Sequence, residues 1–122
     1  MRKQQSGFTL IELVMVIVIL GILAVTAIPS FTNLAGDAQT ATTRGVAGSL
    51  GSASSINYAV RSANSANGVT VGDCANVVNA MAGPLPAGYA ITAAGILPGA
   101  TATCTLTGPS SSSATFIGHG IT

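Results

Sequence analysis

Residues 8–28 form an apolar run broken by a single charge, Glu12. As a helix rising 1.5 Å per residue, a run of this length spans about 30 Å, the thickness of a bilayer's hydrocarbon core. Few folds can accept such a segment. It is either a membrane span or the buried spine of a core larger than this chain can build. A short basic and polar stretch, Met1-Arg2-Lys3-Gln4-Gln5-Ser6-Gly7, precedes it. Positive charge on that side places Met1 in the cytoplasm and the following residues across the membrane. A secretory signal peptide would have a shorter apolar region and a small-x-small cleavage site. Ala24-Val25-Thr26-Ala27 matches that only loosely, and the abrupt end of the polar leader at Gly7 favours the anchor.

The rest of the chain must be read with its composition. The 122 residues suffice for one domain, 48% of them are hydrophobic, and only 6% are charged. Soluble domains carry roughly 25% charge, so much of this surface is expected to face something other than water. The net charge of +1 supplies no field for nucleic acid. Aromatic residues make up 4% with no Trp, which limits the core the polar part can assemble.

From Pro29 to about Asn64 the pattern stays helical and becomes amphipathic. Phe31, Leu34, Ala38, Ala41, Val46, Leu50, Ala53, Ile56 and Val60 recur mostly three or four residues apart. This stripe predicts the face that packs. Gly36, Gly45, Gly48 and Gly51 interrupt it, each costing roughly 1 kcal/mol against Ala. Such a helix needs a packed face, and its small residues allow close approach of a second backbone. Pro29 removes a backbone donor and predicts a kink between the two halves.

Asn67-Gly68 signals a turn. Asp73 is placed to cap a short helix over residues 74–82, which Gly83-Pro84 ends. Tyr89, Ile91 and Ala93 alternate as a strand would. Thr101, Thr103, Thr105 and Thr107 alternate with Ala102, Cys104 and Leu106, the clearest strand in the chain. Gly108-Pro109 and Ser110–Ser113 predict a loop, and residues 114–117 a last strand. The fold class is α+β, a long N-terminal helix with a small antiparallel sheet packed on its second half. The expected divisions are a leader at 1–7, a membrane helix at 8–28, an amphipathic helix at 29–64 and a β-rich head at 65–122.

Chemistry-bearing residues are few. Cys74 and Cys104 form no C-x-x-C pair and have one His as company, so a zinc site is not indicated, and in an oxidising compartment they pair most simply with each other. His119 stands alone and is expected in solvent. Asp37 and Asp73 read as surface or capping residues. No nucleophile–base pair, phosphate loop or carboxylate pair is present. Neither an enzyme nor a cofactor or metal is expected.

The string Gly7-Phe8-Thr9-Leu10-Ile11-Glu12-Leu13, behind its basic leader, resembles the class III signal of type IV prepilins and type II secretion pseudopilins. The resemblance covers residues 1–37 strongly and the remainder in layout and in its cysteine pair. The layout is most similar to short pilins of the mannose-sensitive haemagglutinin kind. The resemblance implies the pilin fold and a cut between Gly7 and Phe8 by a prepilin peptidase, which also methylates the new amine of Phe8. It implies that Glu12 pairs with the N-terminal amine of a neighbouring subunit during assembly, and that Pro29 and Gly21 bracket an extensible stretch. The implied partners are further copies of the chain in a helical filament, the peptidase and an assembly platform. The implied route runs from the inner membrane to an extracellular pilus or a periplasm-spanning pseudopilus. Adhesion, motility or DNA uptake would be its purpose. The alternatives are a type II secretion pseudopilin and a membrane-anchored adhesion module that never polymerises. The Ser110–Ser113 loop is a place where such a head could be glycosylated.

Overall fold

In the computed structural model, residues 6–122 are described; the leader's first five residues, Met1 to Gln5, lie outside them. Helix α1 spans Leu10–Ala63. The chain divides into two units, Met1–Ala35 and Gly36–Thr122, and α1 contributes residues to both.

In the first unit the apolar residues from Leu10 to Leu34 are exposed. The helix here is long and apolar enough to cross a membrane. Its interior hydroxyls are turned back on the backbone: Thr26 Oγ1 donates to the Leu23 carbonyl at 2.9 Å and Thr32 Oγ1 to the Pro29 carbonyl at 2.8 Å. Each hydroxyl thus satisfies itself within the helix, as an apolar surround requires. Pro29 lies inside α1. Its missing N–H leaves the Val25 carbonyl without the donor it would take four residues on.

The second unit sets the C-terminal half of α1 against a three-stranded antiparallel sheet in the order β1 (Ala90–Ile91), β2 (Thr101–Thr107), β3 (Ser113–His119). The β2–β3 register runs from Thr101 opposite His119 to Thr107 opposite Ser113. The alternation expected in β2 is observed, with Cys104 and Leu106 buried and Thr101, Thr103 and Thr107 exposed. Strand β3 starts at Ser113 rather than Ala114 and extends to His119. The predicted Ser-rich loop contracts to a turn, Pro109–Ser111 plus Ser112. Ser110 and Ser111 both hold positive φ, 56° and 58°, a conformation that Gly or Asn adopts more readily. Strand β1 is shorter than its alternation suggested. After Thr92 donates to the Thr105 carbonyl, the chain leaves β2. Its next carbonyl and amide groups pair with residues 72–74 instead, Cys74 N–H to Ala94 O and Ile96 N–H to Gly72 O, both at 2.9 Å. A 3₁₀ helix covers Cys74–Ala80, with Asp73 Oδ1 accepting from the Ala75 N–H at 2.8 Å as its cap.

The core consists of Ala47, Leu50, Val71, Cys74, Val77, Ile96, Cys104, Leu106 and Phe116. Leu50 is the one large apolar residue that α1 contributes. The remaining buried positions on the helix are Thr43, Ala47, Ser54 and Asn57. The predicted packing stripe is therefore displaced: Ile56 is 64% exposed and Val60 42%, while Phe31 and Leu34 in the first unit are also exposed. The reason lies in what the helix meets. Along this face it abuts loop backbone and the last strand's main chain as well as the sheet's apolar face, and these demand hydrogen-bonding groups. Asn57 Nδ2 donates to the Val69 carbonyl at 2.9 Å while its Oδ1 accepts from the Val69 N–H at 2.8 Å. Ser54 Oγ accepts from the His119 N–H at 2.8 Å. The hydroxyls of Thr43 and Ser112 lie 2.7 Å apart and share their protons with the carbonyls of Gln39 and Pro109. Gln39 Nε2 reaches the Tyr89 hydroxyl at 3.1 Å, and Arg61 Nη1 donates to the Ser65 carbonyl at 2.7 Å. Gly68, at φ 75°, is needed beside Asn57, because a Cβ there would stand 2.6 Å from its Oδ1.

The polar seam gives an inverted expectation for mutation. Asn57→Leu adds apolar surface yet strands both main-chain groups of Val69, which costs about 1–3 kcal/mol. Ile56→Ser removes apolar surface from an exposed position and is expected to stay within about 0.5 kcal/mol of the parent. Urea unfolding of the disulfide-intact protein in detergent, read at Tyr fluorescence, orders the two variants.

Candidate functional site

The segment around the start of α1 carries the sequence string singled out above. Ser6, Gly7, Phe8 and Thr9 precede the helix, and Phe8 is 89% exposed. Thr9 is the N-cap. Its carbonyl accepts from the Leu13 N–H at 3.2 Å, which is the first turn of the ladder. Its Oγ1 accepts from the Glu12 N–H at 3.3 Å, and the Glu12 Oε2 accepts from the Thr9 N–H at 3.0 Å. This is a reciprocal capping box, which satisfies two backbone donors that a helix start otherwise leaves orphaned. A carboxylate in the first turn is also favoured by the helix dipole. Ser6, Gly7, Phe8, Thr9 and Glu12 together line a shallow concavity.

Glu12 thus has an intrachain task that its role in the family string did not suggest. The signal was in the sequence: Thr-x-x-Glu ahead of an apolar run is the capping-box pattern. Half of the carboxylate's acceptor capacity remains, since Oε2 alone serves Thr9 and an ionised carboxylate offers about four lone-pair positions.

Cys74 and Cys104 are joined in a disulfide with a Cα–Cα distance of 5.6 Å. Both are buried. The bond ties the 3₁₀ helix to the middle of β2 across a separation of 30 residues. His119 departs from its expected place in solvent. It ends β3 half-buried, with its ring 5.6 Å from that of Tyr58 and tilted by 44°. Among Ser110–Ser113, Ser112 is buried against Thr43, so the exposed hydroxyls are those of Ser110, Ser111 and Ser113. Among the described residues, no group of three or more His, Cys, Asp or Glu side chains is placed to hold a metal ion.

Removing the disulfide is expected to cost about 3–4 kcal/mol by the loop-entropy argument for a loop of this size. Cys74→Ala/Cys104→Ala should therefore shift the urea midpoint of the head sharply downward. Alkylation of the exported native protein without reduction should label neither cysteine.

Residues 2–28 match the family model described as the prokaryotic N-terminal methylation motif. No curated protein and no solved structure matches the chain. The matched region holds the capping box, the exposed Gly7–Phe8 junction and the apolar part of α1. This motif marks pilin-like structural subunits, not enzymes, and implies processing by prepilin peptidase. With a membrane-competent helix leading into a disulfide-pinned three-stranded sheet, the chain carries the type IV pilin and pseudopilin signal on an architecture that fits a pilin.

Proposed function

We propose that the chain is a structural subunit of a type IV pilus-like filament, cut between Gly7 and Phe8, N-methylated at Phe8 and polymerised through α1. The observation that carries this reading is the methylation motif lying on a helix whose apolar residues are exposed. Before assembly the bilayer covers those residues. Afterwards, equivalent helices of other subunits do. Gly45 and Gly48 support the same picture. A Cβ at either would meet nothing within 4 Å, so the fold of one subunit gives no reason for their helix-weakening presence. A neighbouring helix that must come close does give one.

Glu12 is the natural register mark. Its free oxygen is available to the Phe8 amine of a neighbour, and attraction between opposite charges grows steep in low dielectric. Pro29 would let the two halves of α1 bend. The buried disulfide between Cys74 and Cys104 favours a pilus over a pseudopilus, since pseudopilins often lack a C-terminal disulfide and some bind calcium instead. The mature subunit would leave the inner membrane for a filament outside the cell.

Two measurements test this. Intact-mass spectrometry of protein from cells should give a chain beginning at N-methylated Phe8; a chain still beginning at Met1, or starting after Ala27, contradicts the reading. Glu12→Ala should be processed and inserted normally but assemble poorly, because the Thr9 hydroxyl still caps the helix while the charge for a neighbour is gone. Electron microscopy of sheared filaments beside immunoblots of membranes reads both. Filaments at wild-type density would make Glu12 a bystander.

A further inference from the structure

We propose that Thr9 is a positioning residue for leader removal: its capping box with Glu12 starts α1 at Leu10 and thereby keeps the Gly7–Phe8 bond outside the helix, where a peptidase can take it up. The inference rests on the proposed cut between Gly7 and Phe8.

Hydrolysis adds water across that bond. The hydroxyl goes to the Gly7 carbonyl carbon, which leaves with the leader as a carboxylate, and the proton goes to Phe8, which keeps a free amine. A peptidase must polarise the Gly7 carbonyl and hold the backbone on both sides of it, so that carbonyl has to be free. In this structure it is: the first intrahelical bond runs to Thr9 O, and Ser6 to Thr9 lie outside the helix.

That outcome is a choice between two registers. Ser6 is itself a good N-cap residue, and a helix begun there would place Gly7 and Phe8 in its first turn. The Gly7 carbonyl would then accept from the Ile11 N–H four residues on, and the scissile bond would be locked into the ladder. What decides against Ser6 is the third residue after each candidate. After Ser6 it is Thr9, which cannot reach back as a Glu or Gln does; after Thr9 it is Glu12, and the reciprocal pair forms at 3.0 and 3.3 Å. Gly7 adds to the bias, being a poor helix former. The same box leaves Phe8, the residue to be modified, 89% exposed.

The test uses full-length precursor in membranes, treated with a prepilin-type aspartyl peptidase, and follows conversion to the chain beginning at Phe8 by mass. Immunoblots confirm equal precursor in each membrane preparation. Thr9→Val keeps the shape and loses the hydroxyl, and should be cut about fivefold more slowly, the factor that losing an N-cap is worth. Thr9→Ser should be cut at the wild-type rate. Ser6→Ala/Thr9→Val should return to within about twofold of wild type, because the competing upstream cap has gone. Thr9→Val cut at the wild-type rate overturns the proposal. So does a slow Thr9→Val that Ser6→Ala fails to restore, because the peptidase would then be reading the Thr9 hydroxyl directly. Wild-type precursor that is not cut at Gly7–Phe8 defeats the processing reading itself, a result distinct from uniform cutting of every variant.

Discussion

Apolar surface on the first part of α1 has to leave water, and the helix there keeps its large side chains exposed. Burying one such side chain is worth about 1.5–3 kcal/mol, so a run of this length amounts to tens of kcal/mol seeking cover. That demand dictates the rest. It places the segment in a bilayer or among its own kind. It explains why threonine hydroxyls within it fold back onto carbonyls, and it confines polar recognition to the helix start at Thr9 and Glu12. It also frees the head from any duty to shield the anchor, which is how so small a core can suffice.

The features legible in the sequence were those governed by local periodicity. The apolar run, the Thr-rich β2, the Asp73 cap and the Asn67-Gly68 turn each depend on neighbours a few residues away, and each stands where the pattern placed it. The packing face of α1 did not. Hydropathy reports which side chains avoid water, whereas this helix turns toward its head the side chains that can satisfy main-chain groups: Asn57 for Val69, Ser54 for His119, Thr43 for Ser112. Those partners are 12 to 69 residues away, and no window of sequence displays them. The short β1 has the same cause, since residues 94–96 are claimed by 72–74. At the helix start the reverse held. The capping box was present in the string, but a family pattern occupying the same residues drew the attention to Glu12 as an intermolecular group.

The displaced stripe resolves an apparent conflict in the amphipathic half. Had Ile56 and Val60 served the head, nothing apolar would remain on α1 for a neighbour. Because the head is held by hydroxyls and an amide around a single Leu50, the helix keeps two faces with separate tasks. The glycines at 45 and 48 lie on the side left open, where their cost in helix stability is not recovered within the subunit.

The seam has a mechanical side. Gln39, Thr43, Ser54, Asn57 and Arg61 each bond the helix to a different stretch of the head, at intervals along the same face. Tension drawn along α1 would reach these bonds together, so the pull is shared among many weak links and none is peeled alone. Within the head the Cys74–Cys104 bond then fixes the 3₁₀ helix to β2. A stretched thread made of such subunits would yield in its anchors and keep its heads folded.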